Sequence, residues 1–441
     1  MFTKSRRRPR LDLVRLAVLF SLLSSVSLVQ AADKSEGEAS EIAAAAAIGT
    51  SAVGLEPASA EATRAKPATP KERWISYSRK GLALKSKDGN FKGQLNIRSQ
   101  LRFSDPFDAA PRSIPGFDKE EQQNFGFRRA RFKAKGNIFR PWLKFSYEHD
   151  LVNSRLLTGD ITIAKVEWLQ FKVGQWKANF SRERVDSSGK QQFAERTIVN
   201  RVFTIDRQKG AMLTGRLMKG TRFDSRYYAG MFAGTGRGIS SLDESDGQPM
   251  MLARYQWNFL GRDMEFSQSD LEYHEKPTAS LSFATVSNRS RYTRFSGSGG
   301  GQLNGFEKGE LGQYSVRQYM EETALKYRGF SFQHELHWKR IIDNKNLTTT
   351  HMRGSYFEGG YFFHYLYPKI PRQLELAGRY AFVDHNTAKP DDLLHELGMA
   401  ANWFFDGHAN KLTLEVSRLR LVVAGADPSA VRVRVQWDVS F

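Results

Sequence analysis

The 441-residue chain has no cysteine. Disulfide staples and thiolate metal sites are therefore excluded, and the chain suits maturation in an oxidising compartment. Long apolar runs are scarce. The longest, Leu16 to Val29, is well short of the roughly 20 residues a spanning helix needs, and no other segment is long and apolar enough to cross a bilayer as a helix. Acid is in short supply: 47 Asp and Glu stand against 66 Lys and Arg, a net charge of +19. Catalytic constellations are also missing. His334 and His337 sit three apart in a predicted strand and fall on opposite faces, which argues against a metal site. Gly234-Thr-Gly-Arg-Gly238 has the look of a phosphate loop, but no helical pattern follows it and an exposed loop explains it better. Ser187-Ser188 has no nucleophile-elbow context. The sequence thus predicts neither an enzyme nor a bound metal or cofactor.

The amino-terminus has the form of a secretory signal. Lys4, Arg6, Arg7, Arg8, Arg10 and Arg15 precede the short apolar stretch, and Val29-Gln30-Ala31 supplies small residues for cleavage. The stretch is too short for an ordinary membrane anchor, the rival reading. Residues 1–31 are thus expected to be removed. Residues 32–75, rich in Ala, Glu, Ser, Thr and Pro, read as a flexible periplasmic arm. The charge is not spread evenly. Residues 1–31 carry +5, residues 32–70 carry −3, and the rest of the chain +17. Such an excess needs anionic partners or a solvated surface. Lipopolysaccharide and small anions fit; an exported protein is not expected to meet nucleic acid.

From Phe91 a period of two takes over. Phe91, Leu95, Ile97, Leu101 and Phe103 share one face, and Lys92, Gln94, Asn96, Arg98, Gln100 and Arg102 the other. Near Phe125–Ile138, Ala130, Phe132 and Ala134 alternate with Arg129, Arg131, Lys133 and Lys135. Phe125 and Phe127 have the wrong parity, which a bulge at Arg128-Arg129 would repair while aiming both arginines to one side. At the carboxy-terminus Val431, Val433, Val435, Trp437, Val439 and Phe441 alternate with Arg432, Arg434, Gln436, Asp438 and Ser440. A soluble sheet with one wet face would alternate likewise. The recurrence of the pattern after an export signal, and its end on an aromatic residue, favour a closed barrel with lipid outside and charged water inside. An arginine facing lipid at mid-membrane costs roughly 2–4 kcal/mol, so the cationic faces must point inward.

Fourteen further segments complete the expectation: an all-β, antiparallel, up-and-down transmembrane β-barrel of sixteen strands over residues 76–441. Both termini would then be periplasmic, with short turns at 137–141, 218–222 and 406–410. Long external loops are expected at 104–122, 234–248 and 288–315. The stretch 178–208 is too long for a turn and follows a strand heading outward, so it is free to fold into the lumen as a constriction loop. Tyr and Trp at strand ends are read as an interfacial girdle.

Three motifs bear on function. They are Phe127-Arg-Arg-Ala-Arg131 with Trp142-Leu-Lys-Phe-Ser-Tyr-Glu-His-Asp150, then Phe171-Lys-Val-Gly-Gln-Trp-Lys-Ala-Asn-Phe180, then Ser187-Ser188 with Glu195-Arg196. In order and spacing they resemble the phosphate-selective porin O and P family of Gram-negative outer membranes, over about Phe91 to Phe441. The resemblance implies a sixteen-stranded trimeric channel for phosphate or other small anions. Its constriction residues would be Arg128, Arg129, Arg131, Arg184, Ser187, Ser188 and Arg196, with Asp160 as a tempering carboxylate. Arg289, Arg291 and Arg294 would form a funnel leading anions inward. Lys339 and Arg353 are candidates for further constriction cations. The closing strand, ending in Phe441, is typical of outer-membrane barrels generally and would serve recognition by the barrel-assembly machinery. Gln94, Arg131 and Arg184 depart from the family's residues, which bears on phosphate selectivity rather than on the porin assignment.

The residues support anion passage independently. Rings of Lys and Arg make anion pores, and arginine's planar fork grips phosphate oxygens in pairs. Lys92, Arg98, Lys133, Lys135, Arg432 and Arg434 would line the lumen, with Glu148 and Asp150 as moderating acids. Other roles stay open. Arg128 to Lys135 could be a merely solvated face. Arg182, Arg184 and Arg196 could tie the loop to acidic wall residues. Arg289 to Arg294 could meet lipopolysaccharide phosphates. A weakly selective general porin, an outer-membrane hydrolase and a plugged surface-binding barrel are the alternative functions.

Overall fold

The computed structural model describes residues 74–78, 81–117, 123–236, 248–261, 263–297 and 300–441. The expected signal peptide and nearly all of the expected arm lie outside the described residues, as does part of the Gly234–Gly238 loop. A short hairpin, β1 (Ile75–Ser78) and β2 (Gly81–Lys85), precedes the barrel. Its first strands are β3 (Lys92–Asp105), β4 (Asn124–Asn137), β5 (Leu143–Asp150), β6 (Arg155–Ile163), β7 (Gln170–Lys177) and β8 (Arg207–Leu217). Then come β9 (Ser225–Phe232), β10 (Met250–Leu260), β11 (Thr278–Ser290), β12 (Tyr314–Tyr327) and β13 (Phe330–Asp343). The last are β14 (Thr348–Tyr361), β15 (Leu374–Asp384), β16 (Asp392–Asp406), β17 (Asn410–Val423) and β18 (Ser429–Ser440).

Each barrel strand pairs antiparallel with the next, and β18 closes the ring on β3, Val433 opposite Asp105 and Ser440 opposite Arg98. Sixteen strands in a closed up-and-down barrel are what the alternation predicts. The hairpin was not expected. Strand β2 pairs with β3 at Leu82–Leu95 through Lys85–Lys92, on the edge that β18 leaves free below Phe441. It thereby covers backbone groups that would otherwise form an open edge.

The bulge falls where the parity required it. Gln100 faces Arg129 and Leu101 faces Phe127, so Arg128 is the extra residue. Phe125 and Phe127 consequently lie outside, 78% and 59% exposed, while Arg129 is buried. Outward faces elsewhere carry Tyr255, Trp257, Phe283, Leu397, Met399 and Trp437, all exposed.

With an even strand number both ends of the barrel chain lie on one side. The long links that follow β3, β7, β9 and β11 leave their strands on the other, external side. One expectation fails here. The 17-residue link between β10 and β11 is long yet periplasmic. It turns inward rather than out: Gln268 bonds to Gln192 and Lys190, Ser269 to Glu375, and Glu265 to Lys326.

The interior also differs from uniformly charged water. Leu252, Val286, Val316, Met320, Ile341, Met352 and Val383, from β10 to β15, form a dry cluster. Phe180, Ile198, Val199, Val202, Phe203 and Ile205 of the β7–β8 link pack into it. One half of the barrel is thus filled with packed side chains, and the charged space lies along the other half.

Candidate functional site

The β7–β8 link begins with a turn of helix, α1 (Arg182–Val185). Ser181 caps it, accepting from the Arg184 amide and donating to Glu335 at 2.8 Å. A second short helix, α2 (Ile198–Phe203), carries the apolar residues that enter the dry cluster. Between the helices the chain is held by wall side chains on successive strands. Arg98 donates to Ser187 Oγ at 3.2 Å and Ser188 Oγ at 2.6 Å, and Arg102 to the Ala194 carbonyl at 2.6 Å. Glu415 accepts from the Ala194 amide and Glu396 from the Ile198 amide, both at 3.0 Å. Arg379 donates to the Glu195 carbonyl at 2.8 Å, and Lys339 to that of Val202 at 2.9 Å.

Close approach demands missing side chains. A Cβ on Gly354 would sit 2.5 Å from the Phe203 ring, and one on Gly189 2.3 Å from the Arg98 guanidinium. Glycine at these positions lets the ring dock on β14 and lets β3 grip the serines.

Two carboxylates gather the cations. Glu195 accepts from Arg129 at 2.7 Å and Arg128 at 3.1 Å, and lies 3.4 Å from Arg102. Burial opposes its charge, but Arg129, Arg102 and Arg128 together hold its carboxyl well below the ordinary carboxylate range. Glu148, on the β5 wall, accepts from Arg207 at 2.7 Å and Arg131 at 3.0 Å, with Lys133 at 3.6 Å.

The loop contains acids of the opposite kind. Burial, reinforced by the neighbouring Glu335, raises Glu183 to about 7. Burial raises Asp186 to about 6 against the pull of Arg182, Lys326 and Lys177. Burial and the adjacent Arg184 lower Arg196 to about 10.

Two cavities flank this row. The outer one, about 450 Å³, is lined among the described residues by thirteen Arg and Lys against five Asp and Glu. The inner one, about 650 Å³, has four cations and three acids, among them Arg98, Lys133 and Glu148. Arg131 and Arg207 border the outer cavity and both bond Glu148, which borders the inner one. Arg131, Arg207 and Glu148 therefore stand between the two spaces, with Arg98 and Ser187 on the inner side.

Most of the sequence-predicted residues converge here. Arg128, Arg129, Arg131, Arg184, Arg196, Arg432 and Arg434 line the outer cavity, and Arg98, Lys133, Lys135 and Ser187 the inner one. Ser188 touches Arg98. Arg184 is tied within the loop to Asn200 and Asp206, and Arg196 to the Glu183 and Asp186 carbonyls. Both hold the loop's own fold. Arg182 reaches the acidic wall at Glu322, 3.7 Å away. Arg432 and Arg434 share Glu415, and Arg432 also faces Glu396 at 3.3 Å. Lys92 is exposed at the periplasmic end of β3.

The structure places other candidates elsewhere. Asp160 pairs with Lys172 at 3.2 Å and borders neither cavity; Glu148 is the acid that meets the arginines. Asp150 borders the outer cavity, but its carboxylate caps the external β5–β6 turn through Val152 and Asn153. Of the funnel trio only Arg294 borders the outer cavity. Arg289 lies on the outward parity of Leu281 and Phe283 and donates to the Gly312 carbonyl, and Arg291 borders neither cavity. Arg353 shares the outward parity of Phe357. Lys339 faces inward but is buried under the loop. His334 and His337 do fall on opposite faces, His337 bonded to Glu335 and His334 to Ser355.

Sequence reading passed over Lys177, Arg207, Arg379, Glu396 and Glu415. The signal was available for the last three. Arg379 alternates with Leu376 and Tyr380, Glu396 with Leu397, and Glu415 with Leu414 and Val416, so period two places all three inward.

A closed sixteen-stranded barrel with apolar outside, cationic cavities inside and a long link bonded to its inner wall defines an outer-membrane porin, a channel-forming protein. The chain belongs to the phosphate-selective porin O and P family, whose description matches residues 112–420. No curated protein matches the sequence. Among solved structures the chain is similar to the outer membrane channel DcaP of Acinetobacter baumannii, at 11% identity and a TM-score of 0.51, over 81% of this chain and 99% of that one. It is also similar to an anion-selective porin from Comamonas acidovorans, at 9% identity and a TM-score of 0.51, over 79% and 99%. At such identities these likenesses concern the fold.

Proposed function

We propose that this porin passes anions and that inorganic phosphate is its preferred cargo. The carrying observation is the outer cavity, where thirteen cationic side chains meet five carboxylates next to the Arg131–Glu148–Arg207 row. A cavity of one sign concentrates counter-ions at its mouth. A single charge pair at 4 Å gains about 4 kcal/mol at an effective dielectric of 20, so several unopposed arginines would trap a dianion. Glu195 and Glu148 each engage several guanidinium groups at once, which weakens the site enough for release. In this reading the anion passes from the outer cavity, by Arg131 and Arg98 opposite Ser187, into the inner cavity, and the β7–β8 link is the constriction. The family's description supports phosphate, and the porin from Comamonas acidovorans is itself described as anion-selective.

The barrel is proposed to act as a homotrimer, exported by a cleaved signal and assembled in the outer membrane. Strands β5, β6 and β7 have 8, 9 and 8 residues. At about 3.3 Å per residue and a tilt near 45° they rise only about 19–21 Å, short of the roughly 25 Å apolar band. These three adjacent short strands, with β9 of 8 residues beyond β8, make a low wall that suits contact with neighbouring subunits rather than lipid.

The test is chloride current through the reconstituted protein with phosphate added. Concentration-dependent block, relieved in Arg131→Gln, is the expected result. Chloride current unaffected by phosphate would leave an anion porin without phosphate preference.

A further inference from the structure

The outside of β12–β14 carries cations that the lumen does not explain. Arg317 on β12 and Arg340 on β13 are direct cross-strand neighbours, and Arg340 in turn faces His351 on β14. All three are exposed and have the outward parity. Both arginines lie three residues from the external ends of their strands, at Tyr314 and Asp343. One step toward mid-barrel is the exposed pair Tyr319–Trp338, and Arg353 flanks Trp338. An aromatic pair at that height marks the membrane–water interface.

Like charges directly opposite one another destabilise a sheet. On the outward rim of β17, by contrast, Arg420 is held by Asp427 through bonds of 2.7 and 2.5 Å, and its neighbour Arg418 faces Val431 rather than a second cation. Arg317 and Arg340 have no ion pair among the described residues. The outward-parity carboxylates nearby in sequence and register, Glu321 and Asp384, pair with neither; Glu321 accepts from Thr323. Strand β14 lies diametrically across the sixteen-membered ring from β6. The patch therefore faces lipid if the low wall faces other subunits.

We propose that Arg317 and Arg340, with His351 beside them, dock a phosphate of an outer-leaflet lipopolysaccharide, its acyl chains lying along Tyr319 and Trp338. Guanidinium forks match phosphate oxygens in pairs, and the anion relieves the repulsion between the two arginines. The inference rests on the outer-membrane placement of the barrel and is independent of which ion the pore prefers.

The test titrates the purified full-length protein with bisphosphorylated lipid A and with its dephosphorylated form, reading bound lipid by native mass spectrometry. The unaltered protein is expected to hold the phosphorylated lipid at least about tenfold more tightly. The Arg317→Gln/Arg340→Gln variant should lose that preference while its conductance and reversal potential stay unchanged. Inorganic phosphate should not displace the lipid. Equal affinity for the two lipids, equal lipid A affinity of variant and parent, or full displacement by free phosphate would overturn the assignment. The two-lipid comparison uses the unaltered protein, so a variant that fails to fold leaves that arm decisive.

Discussion

At the scale of single residues, the pore's charge is set by a few shared carboxylates rather than by a count of arginines. Glu195 engages Arg102, Arg128 and Arg129 at once. Glu195→Gln should release their field into the outer cavity and raise the preference for chloride over potassium. Arg128→Gln/Arg129→Gln should lower it. Reversal potentials across a KCl gradient check both, and an unchanged value in the double variant would remove these two arginines from the constriction. A pH effect follows from Asp186. Its folded value of about 6 lies above the ordinary carboxylate value because of burial. It is therefore charged at neutral pH and gains a proton as pH falls through about 6, so the site loses a negative charge. Anion preference should rise between pH 7.5 and 5 as Glu183, raised to about 7, and then Asp186 gain protons, and Asp186→Asn should remove the lower-pH part of that rise. The sign for stability is related. A raised acid favours the folded loop below its folded value, and that contribution is lost as pH rises from the unfolded value through about 6.

At the scale of elements, the strands were legible because lipid enforces period two. Charge on the wrong face is expensive, so each strand announces its register, and the bulge at Arg128 could be located from the misplaced parity of Phe125 and Phe127 alone. The same rule moves Arg289 out of the funnel. Arg289 has the parity of Leu281 and Phe283, a match visible only once β11 is extended to Ser290 rather than ended near residue 287. What the alternation could not reveal is how the links fold, because their anchors come from distant strands. Phe203 docks against Gly354, more than a hundred residues away, and the inward turn of the β10–β11 link depends on partners such as Gln192 and Glu375. Phe203 is fully buried and stacked on His337 with ring centres 5.3 Å apart. Phe203→Ala should cost about 3–5 kcal/mol of local packing and loosen the β7–β8 link. Single-channel recordings should then show a larger and noisier conductance. Unaltered conductance with intact folding would mean that this anchor does not set the pore's width.

At the scale of the whole molecule, the barrel divides into a packed half and a charged half. The link is welded to β10–β18 by the dry cluster and by bonds to Glu335, Glu396 and Glu415, and the cations of the two cavities collect along β3–β8, on the link itself and at Arg432 and Arg434 of β18. In the proposed trimer the shorter wall at β5–β7 would be the side that meets neighbouring subunits. Native mass spectrometry should find three chains per particle, and charged residues placed at Ile161 and Val173, exposed on that wall, should shift the mass toward monomer. The central claim is that the charged half is an anion path. The most direct measurement is the zero-current potential of the purified protein in a planar bilayer across a KCl gradient. A potential near the chloride equilibrium value is expected. A potential near the potassium value, or no channel activity from a demonstrably folded barrel, would contradict it.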